Sequence, residues 1–202
     1  MKSPIVWLIS IAALLAPAAG VCADYAVHAG KECKVVFVSR AANEKFEGKT
    51  DRLEGRLSVD PAALGDSATF HFEVDMASLD TGIKMRNQHM RENHLETAKF
   101  PTMEFVPKRA VGLPAPLPAG MQAQAGFQLI GDMTLHGVTK EATWNVVATF
   151  GNELVGGRAT TTTDFATFGL TKPSLARLMS VEDKIELEIE FRCKRTVVTP
   201  AG

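Results

Sequence analysis

The run Ile185-Glu186-Leu187-Glu188-Ile189-Glu190-Phe191-Arg192 constrains this chain more than any other feature. Apolar and charged residues alternate without a break. A period of two belongs to a strand with one buried and one wet face, because successive side chains point to opposite sides of a sheet. The pattern recurs. Phe70, Phe72, Val74 and Met76 alternate with His71, Glu73 and Asp75, and Leu53, Gly55, Leu57 and Val59 alternate with Glu54, Arg56, Ser58 and Asp60. Phe127, Leu129, Met133 and Leu135 share one face of a longer run, with Gly131 as its bend or bulge. Cys33 to Val38, Met103 with Phe105, and Trp144 with Val146 and Ala148 add further strands. One-sided alternation predicts an antiparallel sheet, since parallel strands buried on both faces read as continuous apolar runs.

Turn signals separate these segments. Pro61 and Gly65-Asp66 break one pair, and His136-Gly137 breaks another. Pro114, Pro116 and Pro118 mark a loop between Gly112 and Gly120. Met85 to Leu95 is too loosely periodic for a long helix and predicts one or two short turns within a loop. A similar turn is predicted around Leu175 to Met179. Seven or eight such strands make a sandwich or a barrel.

The N-terminus predicts export. Lys2 precedes an apolar run from Ile5 to Leu15, and Val21-Cys22-Ala23 forms a small-x-small site, so residues 1–23 read as a signal peptide cut after Ala23. The run falls short of the roughly 20 apolar residues that a membrane-spanning helix needs. Ala19-Gly20-Val21 ahead of Cys22 departs from the Leu-small-small-Cys pattern of lipid attachment. The remaining residues, 24–202, suffice for one domain with a sizeable core. The whole chain carries 22 basic and 23 acidic residues, a balance with no attraction for nucleic acid. No later stretch is long and apolar enough for a transmembrane helix.

Two cysteines remain after such a cut, Cys33 and Cys193, one near each end. An even count in an oxidising compartment invites a disulfide. Cys33 shares parity with Val35 and Phe37, and Cys193 with Ile185 to Phe191, so both point to the apolar side. A bridge would set the first strand beside the last, as a closed barrel requires, although a sandwich can also pair its terminal strands.

Catalytic signatures are absent. There is no Gly-x-Ser-x-Gly elbow and no His-Glu-x-x-His helix. Gly48-Lys49-Thr50 lacks the first glycine of a phosphate loop, since Asn43 stands there. His89 and His94 are five residues apart, a spacing that suits neither a helix face nor a strand face. With no acidic or cysteine partner at ligand spacing, no metal site is expected. Thr160 to Thr163 reads as strand, where branched side chains fit the pleat.

Two segments carry a recognisable pattern. The first runs Asp75-Met76-Ala77-Ser78-Leu79-Asp80-Thr81-Gly82, then Arg86-Asn87-Gln88-His89-Met90, then Lys99-Phe100-Pro101-Thr102-Met103-Glu104-Phe105. The second is Gly131-Asp132-Met133-Thr134-Leu135-His136-Gly137-Val138-Thr139-Lys140. Together they resemble the YceI-like family of polyisoprenoid-binding proteins, over about Val35 to Phe191. Asn87 stands where that family usually has Asp, and Met90 and Met133 where it has Leu. The resemblance implies an all-β fold, an extended eight-stranded antiparallel barrel of lipocalin type. It also implies an isoprenoid ligand of polyprenyl or quinone type in an apolar cavity, with no other cofactor.

On that reading the inward residues are core or cavity wall. The wall candidates are Phe37, Phe70, Phe72, Met76, Met103, Phe105, Phe127, Leu129, Trp144, Leu187 and Phe191. Arg86, Asn87 and His89 form either a cavity mouth or a clasp that fixes their loop. Two other functions stay open: a fully packed barrel serving as an interaction module, or an enzyme using His89 or His136 on a lipid in the same cavity.

Overall fold

The computed structural model describes residues 23–41, 44–59, 69–114, 124–151, 153–173 and 181–196. The leader through Cys22, most of the proline-rich loop and the turn expected at 175–179 lie outside them.

Ten strand segments form one antiparallel sheet: β1 (Ala23–Val27), β2 (Lys34–Ala41), β3 (Glu44–Thr50), β4 (Leu53–Val59), β5 (Thr69–Asp75), β6 (Thr102–Val111), β7 (Gln124–Leu135), β8 (Val138–Phe150), β9 (Leu154–Asp164) and β10 (Val181–Arg195). β1 and β2 lie in line along one edge of β10, and their antiparallel partners β4 and β3 also lie in line. Each in-line pair is therefore one interrupted strand, and the ten segments make eight. The sheet runs from β4 through β5 to β10 and closes where β1 pairs with both β4 and β10. This is the expected eight-stranded up-and-down barrel. Closure pairs the edges that an open sheet would leave bare.

The strand signals map closely. The Ile185–Phe191 alternation becomes the centre of β10, paired with β9 from Lys184↔Asp164 to Lys194↔Leu154. His136-Gly137 forms the tight β7–β8 turn, where both residues have positive φ, 53° and 72°. This left-handed geometry is the reason such turns favour glycine. The bulge expected at Gly131 falls on the partner strand instead: the register slips between Pro107 and Arg109 of β6, and Gly131 abuts it. β1 was not read from the sequence, because it begins at the expected cleavage site.

The barrel has two unlike ends. At the lower end aromatic rings fill the interior. Phe72 meets Phe191 at 5.9 Å between centroids, Phe105 meets Trp144 at 5.8 Å, and Phe127 meets Phe150 at 6.2 Å. At the upper end, among the described residues, β3 has no ladder partner on its outer edge, only the isolated bridge Lys49↔Asp80. The chain between β5 and β6 crosses this opening. It carries a 3₁₀ turn (Met76–Ser78), helix α1 (Lys84–His89) and one π-helical turn (Met90–His94). The last two correspond to the one or two short turns expected between Met85 and Leu95; the 3₁₀ turn lies before them.

The expected disulfide is not formed; Cys33 and Cys193 are two buried free thiols. The register explains this. Ala26 pairs with Lys194 and Lys34 with Glu190, which sets Cys193 level with Val27 and Cys33 level with Phe191. The cysteines are thus diagonal neighbours and not directly opposed residues. Cys33 Sγ instead lies 3.7 Å from the carbonyl of His28.

Candidate functional site: an apolar cavity under a short helix

Above the packed rings the barrel stays open. A cavity of about 440 Å³ lies between the upper strands and the crossing segment. That volume falls within the roughly 300–1,000 Å³ usual for small-molecule sites. Two larger hollows, of about 660 and 1080 Å³, are more open to solvent. They are lined largely by threonine, lysine and acidic side chains, so neither offers an apolar interior.

The cavity wall comes from nearly every part of the upper end. β2 contributes Val35, Phe37 and Ser39, and β3 contributes Phe46. Val74, Met76 and Leu79 come from β5 and the turn after it, and Met103 and Leu135 from β6 and β7. Phe165, Leu170 and Pro173 follow β9, and Val181, Ile185 and Leu187 belong to β10. Met85, Arg86, His89, Met90, His94 and Leu95 close the top. Among the described lining residues none is Asp or Glu, and Arg86 alone carries a permanent positive charge.

The wall candidates from the sequence divide in two. Phe37, Met76, Met103 and Leu187 line the cavity. Phe72, Phe105, Phe127, Leu129, Trp144 and Phe191 do not; they pack within the hydrophobic core. The side chain of Phe70 lies outside the described residues. Alternation identifies the inward face of a strand but not the depth along the barrel, and depth separates core from wall.

One close approach shapes the wall. Phe37 pairs with Gly48 across β2 and β3, and its ring lies over the glycine. A Cβ at position 48 would stand 2.1 Å from Phe37 Cε1. Only glycine leaves this space to the aromatic ring.

Arg86, Asn87 and His89 take different roles. Arg86 and His89 line the cavity, whereas Asn87 is the clasp. Asn87 Oδ1 accepts from the Thr81 amide at 2.8 Å and from its hydroxyl at 2.6 Å. Its Nδ2 donates to Asp80 Oδ1 at 2.6 Å. That bond, with the one from the Gly82 amide, holds the Asp80 carboxyl below the ordinary carboxylate range. Arg86 is also spent locally. Nε donates to Thr81 Oγ1 at 3.0 Å and Nη2 to the Thr81 carbonyl at 2.8 Å. Nη1 lies 3.5 Å from Glu44, and the guanidinium sits over the Phe46 ring.

His89 and His94 meet despite their spacing, with ring centroids 5.4 Å apart. The reason is the π turn, in which the Leu95 amide donates to the Met90 carbonyl five residues back. A five-residue repeat suits a π turn although it suits no α-helix. His94 Nδ1 lies 2.8 Å from the Thr171 carbonyl. A carbonyl only accepts, so Nδ1 carries the proton and Nε2 offers a lone pair. Burial, and secondarily the charge of His89, push the His94 pKa down. His136 lies apart from the cavity wall, 3.0 Å from Glu96. Among the described residues no group of three His, Cys, Asp or Glu could hold a metal ion.

Several lining residues were not singled out from the sequence. Ser39 could have been found by extending the Cys33-Val35-Phe37 parity one step. Phe46 lies in the charged stretch Glu44-Lys45-Phe46-Glu47-Gly48-Lys49, which shows no apolar run. His94 sits in the π turn, and Phe165 and Leu170 in the chain after β9, where no strand or α-helical periodicity reports orientation.

Comparison with known proteins agrees with this architecture. The model of the YceI-like domain matches residues 25–193. A UPF0312 protein of Shewanella denitrificans is 29% identical over a match spanning 65% of each chain, just under two thirds of that relative. A UPF0312 protein of Pseudomonas savastanoi pv. phaseolicola is 28% identical over 89% of this chain and 90% of that one. Among solved structures, a polyisoprenoid binding domain from Saccharophagus degradans superimposes with a TM-score of 0.70 at 18% identity, covering 85% of this chain and 98% of that one. Burkholderia cenocepacia BcnA superimposes with a TM-score of 0.66 at 20% identity, covering 79% and 95%. These structures share the fold. The family match spans the barrel from β1 into β10, and the chain belongs to the YceI-like family.

Proposed function

We propose that this chain is an exported protein that binds one long-chain isoprenoid lipid, of polyprenyl or quinone type, as a carrier or a sequestering protein and without turnover. The observation that carries the reading is the cavity itself, whose described lining is almost wholly apolar side chains. The name of the Saccharophagus degradans domain supports the ligand class. The apolar run and small-x-small site at the N-terminus support export.

The energetics suit such a ligand. A buried methylene contributes about 0.8 kcal/mol, so a five-carbon isoprene unit contributes roughly 4 kcal/mol gross. Micromolar affinity needs about 8 kcal/mol net. A few buried units exceed that after the cost of ordering the chain. Met76, Met85, Met90 and Met103 give the wall a deformable surface that adapts to a methyl-branched chain.

The test is solvent extraction of protein purified from its native host, followed by mass spectrometry. A co-purifying prenyl lipid supports the reading. Empty protein without affinity for any added prenyl chain overturns it. Cell fractionation and N-terminal sequencing test export; a first residue of Asp24 in an extracytoplasmic fraction is expected.

A further inference from the structure

Among the described residues, one polar atom of the cavity wall is both fully buried and without a hydrogen-bond partner. Ser39 points inward with Val35 and Phe37, is 7% exposed, and lines the cavity between Ile185 of β10 and Phe46 of β3. Its hydroxyl has no hydrogen-bond partner. Buried hydroxyls are nearly always paired, because desolvation without a partner is unfavourable. Two other buried nitrogens, Arg91 Nε and Trp144 Nε1, are also unpaired, but neither residue lines the cavity.

Thr163 and His89 also line the cavity but are less buried than Ser39, and the other polar groups of the wall narrow what Ser39 can meet. Thr81 and Arg86 are engaged with Asn87, with each other and with Glu44. No other Lys or Arg lines the cavity among the described residues. His94 donates through Nδ1 to Thr171 and leaves Nε2 as an acceptor. Burial favours its neutral form. A phosphate brings negative charge and wants uncommitted cations. An alcohol or ketone oxygen needs only a hydroxyl or an acceptor nitrogen.

Resting on the lipid-binding reading above, we infer that Ser39 is the specificity-determining residue of the cavity. Its hydroxyl hydrogen-bonds an uncharged oxygen at the polar end of the isoprenoid, so the site takes prenyl alcohols or ketones in preference to prenyl phosphates.

Binding of geranylgeraniol, geranylgeranyl phosphate and the matching hydrocarbon without the hydroxyl tests this. The measurements use the purified chain, its Ser39→Ala variant and its Ser39→Thr variant, each checked for folding by circular dichroism. The unaltered protein is expected to favour the alcohol over the hydrocarbon by roughly fivefold to tenfold, the worth of one hydrogen bond. Ser39→Ala abolishes that preference without weakening hydrocarbon binding, and Ser39→Thr, which keeps a hydroxyl, retains it. Equal binding of alcohol and hydrocarbon by the unaltered protein overturns the Ser39 assignment alone. So does a preference that survives in Ser39→Ala, or tighter binding of the phosphate. Failure to bind any of the three overturns the lipid-binding reading as well.

Discussion

The ring of Phe37 occupies the space that a side chain at position 48 would need, with Phe37 Cε1 only 2.1 Å from the point where a Cβ on Gly48 would stand. β2 and β3 can pair at this level only because residue 48 has no side chain. Gly48→Ala is therefore expected to push Phe37 toward the cavity, destabilise the fold by about 1–3 kcal/mol and weaken prenyl binding. Denaturant melts and ligand titrations check this. Phe37→Ala in the same chain should make Gly48→Ala nearly neutral, and full additivity of the two changes would count against the contact.

The division between packed and open halves predicts a contrast. Trp144→Ala and Phe105→Ala remove rings from the packed end and should each cost about 3–5 kcal/mol. Leu187→Ala faces the cavity and is only half-buried, so it should cost far less while altering ligand affinity. Equal losses of stability would show that the upper end is packed as well.

Asn87 and Asp80 make a local prediction. The Asn87 amide is the main cause of the lowered Asp80 pKa. A carboxyl with a depressed folded pKa stabilises the fold above its ordinary range, and that contribution fades as pH falls through the folded value. In Asn87→Ala the Asp80 pKa should rise toward the ordinary range, and acid should cost less of the remaining stability. Titration of the carboxyl carbon by NMR reads the shift directly.

His94 works in the opposite direction along the pH axis from a salt-bridged histidine. Its pKa is pushed below the ordinary 6.5, mainly by burial. The unfolded chain thus binds this proton more readily than the fold does, and stability falls as pH drops below about 6.5. His94→Gln should flatten that part of the profile. Thermal melts between neutral and mildly acid pH provide the measurement.

Burial pushes the Cys193 thiol up to about 12. The thiolate is the reactive form, so alkylation at mildly alkaline pH should be slow in the fold and fast in denaturant. Peptide mass spectrometry of the Cys193 segment, from non-reduced protein, checks both this and the free state of the sulfur.

Much of the architecture is legible in the sequence alone. The Ile185–Phe191 alternation marks the longest strand, β10, and His136-Gly137 marks the turn between β7 and β8. The two motif segments pointed to the family whose domain model spans residues 25–193. These features are local: side-chain parity and turn chemistry act within a few residues.

What only the tertiary structure decided are relationships across the barrel. Parity set Cys33 and Cys193 on the inner face, but the register placed them diagonally and left them unbonded. Parity likewise set Phe105 and Phe37 facing inward, but position along the barrel axis made one core and the other wall. The meeting of His89 with His94 required a π turn that no spacing rule for α-helix or strand anticipates. Ser39 acquired its significance from Ile185 and Phe46, which reach it from two other strands. A sequence encodes which face a side chain takes; depth, register and the partners met across a closed sheet arise when eight strands settle against one another.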